Sequence, residues 1–179
     1  MRIIAGTWRG RQLVSPPGDA TRPTADRTRE ALFSILASRV GSFEGLRVAD
    51  LFAGTGALGL EALSRGAAHC TFVEQDRAAL DALRRNITTV GAVGTDVRAQ
   101  SVAGLGPVAA PFDLLLFDPP YGSGGAGALI ERLTRLGWAA PGAWASIETA
   151  KNEDVSAGGW SLDAERVYGK AKLTLLHAD

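Results

Sequence analysis

With a single cysteine, Cys70, the 179-residue chain can form no internal disulfide, and such a chain is expected in a reducing, cytoplasmic compartment. Two histidines, His69 and His177, leave almost no material for a zinc site, so no metal is expected. No apolar run approaches the ~18 residues that a membrane span needs, and the opening Met1-Arg2-Ile3-Ile4 lacks the apolar stretch of a signal peptide. No membrane partner is expected. Net charge is missing too: 19 Lys+Arg stand against 19 Asp+Glu, so the whole-chain balance makes no case for a nucleic acid. Internal repeats and low-complexity tracts are absent.

What is present suffices for one domain with a core, since 46% of residues are apolar. Charge is unevenly spread. Residues 1–39 carry Arg2, Arg9, Arg11, Arg22, Arg27, Arg29 and Arg39 against Asp19, Asp26 and Glu30, a local +4 that leaves −4 for residues 40–179. Arg2–Ala5 and Arg11–Val14 read as a hairpin turning through Gly6 to Gly10. Thr24 is placed to cap a helix that carries Leu32, Ile35 and Leu36 on one face and ends near Gly41.

From Leu46 the pattern alternates. Strands are expected at Leu46–Phe52, His69–Glu74, Val93–Ala99, Phe112–Phe117 and Trp144–Thr149. Helices are expected at Ala57–Arg65, Arg77–Val90 and Ala126–Trp138. Ser161–Tyr168 and Ala171–His177 have the period of a closing antiparallel pair. Alternation of this kind predicts an α/β fold: a Rossmann-like, doubly wound, mostly parallel sheet with helices on both faces, preceded by the N-terminal β-hairpin arm.

Gly54, Gly56 and Gly59 follow the first of these strands at G-x-G-x-x-G spacing, and Glu74 closes the next strand twenty residues after Gly54. The glycines let backbone pass close to a ligand, and the carboxylate suits two ribose hydroxyls. A dinucleotide, S-adenosylmethionine, or a tight turn with no ligand all fit this pattern. Asp50, on the same strand, favours a cationic amino-acid ligand over a pyrophosphate.

Asp118-Pro119-Pro120-Tyr121 follows the apolar Phe112–Phe117, at the strand end where open α/β sheets bind ligands. The prolines stiffen it into two acceptors, the Asp118 carboxylate and the Pro119 carbonyl, beside an aromatic face. Such parts suit alkylation of a planar exocyclic amine. Two acceptors out of the ring plane favour a pyramidal nitrogen whose lone pair faces a methyl sulfonium, and Tyr121 stacks on the base. A Pro-rich turn is the plain alternative.

These residues resemble the signature of class I S-adenosylmethionine-dependent amino-methyltransferases. Met1 to Arg11, Arg22-Pro23-Thr24, Arg29-Glu30-Ala31-Leu32-Phe33 and Leu51 to Gly66 resemble more closely the RsmD-type family, which methylates N2 of guanine-966 in 16S ribosomal RNA. The resemblance runs with specific motifs from Met1 to about Tyr121. It implies a seven-stranded sheet, S-adenosylmethionine as donor and S-adenosylhomocysteine as product. It places Asp50, Phe52, Gly54 and Gly56 at the donor's methionine end, Glu74 on the ribose and Gln100 or Ser101 at the adenine edge. Asp118, Pro119, Pro120 and Tyr121 then hold the amine. The implied partner is 16S rRNA in the small subunit or an assembly intermediate, and a monomer is expected.

The fold consumes roughly 150 residues, which leaves residues 1–39 as an RNA-facing extension to the catalytic domain of residues 40–179. Arg2, Arg9, Arg11, Arg22 and Arg27 suit phosphates, and Trp8 suits either stacking on an unpaired base or packing on the domain. Guanine N2 is out of reach inside a duplex, so the target must be single-stranded or flipped out. Gly122, Gly124, Gly125 and Gly127 suit a lid or a passive loop. Competing readings are a DNA adenine-N6 or other amino-methyltransferase, a nicotinamide-dependent oxidoreductase, and a non-catalytic RNA-binding module.

Overall fold

The structure, a computed structural model, describes residues 1–18, 23–120, 122 and 124–179, with the backbone alone at Pro23 and Thr24. Its elements are α1 (Pro23–Val40), β1 (Arg47–Leu51), α2 (Ala57–Ser64), β2 (His69–Glu74), α3 (Arg77–Val90), β3 (Thr95–Ala99), β4 (Phe112–Phe117), α4 (Ala126–Arg135), β5 (Ala139–Ala150), β6 (Trp160–Tyr168) and β7 (Ala171–Ala178). A short 3-10 turn covers Val102–Gly104.

The sheet has seven strands in the order β3-β2-β1-β4-β5-β7-β6. β1 to β5 run parallel, and β7 inserts antiparallel between β5 and β6. This is the Rossmann-like, mostly parallel sheet expected from the sequence, closed at one edge by an antiparallel pair. Strand order reverses between β1 and β4, so a crevice opens beyond their carboxyl ends.

Period-2 alternation sorts the side chains. Val48, Leu114, Leu116, Leu173 and Leu175 join one apolar cluster with α1, α2 and α3. Ala49, Leu51, Leu115, Phe117, Ala145 and Ile147 join the opposite cluster with Ile130 and Leu133 of α4. Both faces of β4 are covered, which is why Phe112–Phe117 reads as an almost unbroken apolar run. α3 is bounded by Asp76, whose side chain accepts from the Ala79 N–H at 2.9 Å, and by Gly91 in the left-handed region.

Several boundaries differ from expectation. α1 begins at Pro23, so Thr24 lies inside the helix rather than capping it; proline suits the first helical position. β3 begins only after Gly94, whose φ of +71° breaks the strand and leaves Val93 exposed. α4 stops at Arg135 because Gly137 turns at φ +85°, and Trp138 instead buries its ring and donates Nε1–H to the Gly106 carbonyl at 2.9 Å. β5 starts earlier than expected, with an irregularity opposite Phe112 and Leu114.

The hairpin is reduced to one bridge, Arg2↔Gln12, with Gly10 N–H to Ile3 O and Leu13 N–H to Met1 O at 2.8 Å each. It does not continue as two strands because α2 captures its donors. Ile4 and Ala5 donate N–H to the Glu61 carboxylate, and Thr7 donates to the Ser64 carbonyl. Ile3, Leu13, Leu32, Phe33 and Leu36 belong to the same cluster as the sheet, so the N-terminal hairpin and α1 share its core.

Candidate active site

β1 ends at Leu51, and the chain then turns toward α2. Phe52 adopts φ +62°, a left-handed conformation that is strained for an aromatic residue and that recurs at functional turns. Gly54 and Gly56 follow at φ +57° and +83°. The three glycines differ in what surrounds them. A Cβ on Gly59 would sit 2.4 Å from Phe72 and 2.6 Å from Cys70, so this glycine lets α2 press on β2. A Cβ on Gly56 would strike Leu83 at 2.3 Å. A Cβ on Gly54 would meet nothing within 4 Å; its open side faces the crevice.

Glu74 ties this turn to β2. One carboxylate oxygen accepts the Gly54 N–H at 2.8 Å, and the other accepts the N–H groups of Gln75 at 2.9 Å and Asp76 at 2.8 Å. Asp50 lies beneath the turn and outside the crevice wall. It is 1% exposed, and one oxygen accepts the Gly59 N–H at 2.9 Å while the other has no partner. Burial pushes its carboxyl up to about 8; the Gly59 N–H opposes the rise and the charge of Glu74 adds to it. The structure thus places Asp50, expected at the donor's methionine end, as a buried carboxyl beneath the turn that anchors the first turn of α2.

Two cavities meet at the sheet's carboxyl edge. One, of about 550 Å³, is walled by Glu74, Gln100, Ser101, Val73 and Val102. The other, of about 580 Å³, lies between the Thr55 side of the turn, α1 at Thr28 and Arg29, and the β6–β7 turn at Tyr168 and Lys170. Phe52, Gly54, Asp118 and Glu148 line both, so they mark the junction. Pro119 and Pro120 complete the first cavity. Ser101 also closes the 3-10 turn, its Oγ accepting the Gly104 N–H at 3.1 Å.

Asp118 is open to this junction, yet protein atoms crowd its carboxyl. That desolvation pushes its pKa well above the carboxylate range, helped by a hydrogen bond and the charge of Glu148 and by the charge of Asp50. The parallel register explains the pairing. Phe117 lies opposite Ile147, so Asp118, the first residue past β4, and Glu148, still within β5, sit side by side.

Asp50, Phe52, Gly54, Gly56, Glu74, Gln100, Ser101, Asp118, Pro119 and Pro120 therefore gather at or under one crevice. Tyr121 and Arg22 lie outside the described residues. Glu148, Tyr168, Lys170, Thr28 and Arg29 were missed by sequence reasoning. For Glu148 a signal existed: it follows the apolar Ile147 near the carboxyl end of a parallel strand. Among the glycines after the motif, Gly125 opens α4, and Gly127 packs so closely that a Cβ would lie 2.1 Å from the Ser156 carbonyl oxygen. In the N-terminal segment, Arg2, Arg9, Arg11 and Arg27 are exposed, whereas Trp8 is half-buried against the core. Among the described residues no helix is long and apolar enough to cross a membrane.

The model of the family described as "Conserved hypothetical protein 95" matches residues 1–177. The chain is similar to ribosomal RNA small subunit methyltransferase D of Escherichia coli (strain K12), 38% identical over 178 residues that make up 98% of this chain and 88% of that protein. The protein of the same name from Haemophilus influenzae is 35% identical, covering 94% and 89%. A solved Escherichia coli structure, provisionally described as a methyltransferase, superposes with a TM-score of 0.88 at 38% identity, covering 100% of this chain and 98% of that one. Magnesium protoporphyrin IX methyltransferase from Synechocystis PCC 6803, solved with bound SAM, has a TM-score of 0.68 at 17% identity, covering 90% and 87%; it shares the fold.

Proposed function

Since this chain belongs to the Conserved hypothetical protein 95 family, whose relatives include small-subunit rRNA methyltransferases, we propose that it methylates the exocyclic N2 amine of a guanine in 16S rRNA, with S-adenosylmethionine as donor. The observation that carries this reading is Asp118 at the junction of two cavities, beside the open side of Gly54.

The donor fits the residues present. Glu74, Gln100 and Ser101 offer polar partners to a nucleoside, Val73 and Val102 offer apolar wall, and Gly54 leaves its Cβ position clear for a ligand. The carboxyls of Asp118 and Glu148 complement a positive charge at the junction. When bound, the donor supplies an electrophilic sulfonium methyl and leaves as S-adenosylhomocysteine.

The remaining work falls to the chain. Asp118, once ionised, accepts one N–H of the amine, and the Pro119 carbonyl accepts the other. Held by acceptors out of the ring plane, the nitrogen turns its lone pair toward the methyl group. As the N–C bond forms, the nitrogen gains positive charge and becomes acidic, and its proton passes to Asp118 or to water. The gain comes from orientation and electrostatics. Exposed Arg2, Arg9, Arg11 and Arg27 meet RNA phosphates, and Trp8 braces the N-terminal segment against the core.

The test supplies labelled S-adenosylmethionine with unmodified small subunits, free 16S RNA and DNA in parallel. Label in RNA, recovered as N2-methylguanosine, is expected; label in DNA alone contradicts the assignment. Asp118→Ala is expected to lose roughly 100- to 1,000-fold in turnover while still binding RNA.

A further inference from the structure

Three nucleobases carry an exocyclic amine beside a ring nitrogen: adenine at N6, cytosine at N4 and guanine at N2. Only in guanine does that neighbouring ring nitrogen, N1, carry a hydrogen. An enzyme that selects guanine through this edge therefore needs two adjacent acceptors, one for N2–H and one for N1–H.

The junction of the two cavities holds such a pair. Asp118, just past β4, and Glu148, within the adjacent parallel β5, sit side by side, one step past the Phe117↔Ile147 register. Both line both cavities. Alternation sends Ala145 and Ile147 into the α4-side core, which turns Ser146 and Glu148 to the opposite face, where both line the second cavity. On the far side Glu148 pairs with Leu173 of β7, which holds the strand beneath it in register. Glu148 is thus on a rigid sheet strand, and Asp118 is stiffened by Pro119.

We propose that Glu148 is the base-selecting residue of this enzyme: its carboxylate accepts the N1–H of guanine while Asp118 accepts N2–H. The inference rests on the guanine-N2 reading given above. Adenine and cytosine would place a ring lone pair against the Glu148 carboxylate, so the same residue that welcomes guanine repels the other amino bases. A site built to pair with an N–H rejects analogues that lack it, because its own polar group is left unpaired. The crowding of the two carboxyls has the same logic. Burial and then Glu148 raise the pKa of Asp118, and a ligand that presents donors to both carboxyls relieves that crowding.

The experiment uses the full chain and small subunits reconstituted on an otherwise unmodified 16S RNA that carries the target guanosine, made also with 2-aminopurine riboside at that position. 2-Aminopurine keeps the N2 amine but lacks N1–H. The parent enzyme is expected to prefer guanosine in kcat/KM by on the order of 100-fold. Glu148→Gln, whose amide offers either a donor or an acceptor, is expected to bring that ratio below about tenfold. 2-Aminopurine also lacks O6, and discrimination that arises at O6 persists in the variant, so the collapse isolates Glu148. S-adenosylhomocysteine affinity and far-UV circular dichroism verify that the variant is folded. If Glu148→Gln turns over too slowly to assay, 2-aminopurine fluorescence with guanosine RNA as competitor reads the same ratio from binding, with Glu148→Ala alongside. An unchanged ratio in a folded variant, or equal use of both bases by the parent enzyme, overturns the role of Glu148 and leaves the guanine-N2 reading standing. Failure of the parent enzyme to methylate the guanosine RNA sinks that underlying reading instead.

Discussion

Replacing Glu61 by alanine tests how the N-terminal segment is held to the catalytic fold. Glu61 has no exposure, although it sits on a helix. Its carboxylate accepts the N–H of Ile4 at 2.8 Å, the N–H of Ala5 at 3.1 Å and the Nε–H of Arg65 at 2.9 Å, and Arg29 Nε stands 3.6 Å away. Glu61→Ala strands two backbone donors, at about 1–3 kcal/mol each if they stay buried. It also removes the carboxylate between two guanidinium groups, one of them 5% exposed, a kind of loss worth about 3–5 kcal/mol. A cheaper escape exists. The segment can peel away so that the stranded donors reach water, at the cost of exposing Ile3 and Leu13, about 1.5–3 kcal/mol each. The cheaper, peeled route sets the limit, so the unfolding free energy falls by about 3–6 kcal/mol, read from urea midpoints at constant slope. The peeled route has a further sign: trypsin cuts at Arg9 or Arg11 before the body unfolds. It also takes Met1 from the wall of the second cavity, so RNA binding weakens while S-adenosylhomocysteine affinity holds. Glu61→Gln keeps one acceptor and falls between. A Glu61→Ala protein within 0.5 kcal/mol of the parent, uncut by trypsin, refutes the reasoning.

Asp50 predicts a pH dependence. Its folded pKa is raised from 3.8 to about 8, so the folded chain keeps a proton that the unfolded chain has lost. Its stabilisation is complete below pH 3.8 and is lost progressively as pH rises to about 8. Asp50→Asn should flatten that decline in urea midpoint, and a decline as steep as the parent's counts against it. Gly54→Ala costs only the left-handed strain, about 1–2 kcal/mol, yet should weaken S-adenosylhomocysteine binding at least tenfold, because its Cβ enters the crevice. Gly59→Ala, which forces Phe72 to move, should lower the thermal midpoint more; the reverse ranking by calorimetry contradicts the cradle. Arg9→Ala with Arg11→Ala should weaken RNA binding at every sequence and reduce the salt slope by about two, with S-adenosylhomocysteine affinity unchanged.

Much of this protein is legible in its sequence because the relevant signals are local. His69–Glu74, Arg77–Val90 and Phe112–Phe117 begin and end where their apolar periods, caps and flanking turns say they should. The glycine spacing and Asp118-Pro119 lie within single strand-to-helix or strand-to-loop turns, so backbone stereochemistry alone places them at the sheet's carboxyl edge. Parity along a strand, however, does not say which neighbour supplies the second acceptor. Glu148 joins Asp118 only because β5 pairs with β4 in one register. Asp50 sinks beneath the turn because α2 closes over it, an outcome set by packing between Gly59 and Phe72. The hairpin lost its strands to Glu61, a residue 57 positions away from Ile4. Chain-local stereochemistry decided which elements form and where their turns open; contacts between residues far apart in sequence decided which charges meet and which donors are satisfied, and those only the assembled sheet can specify.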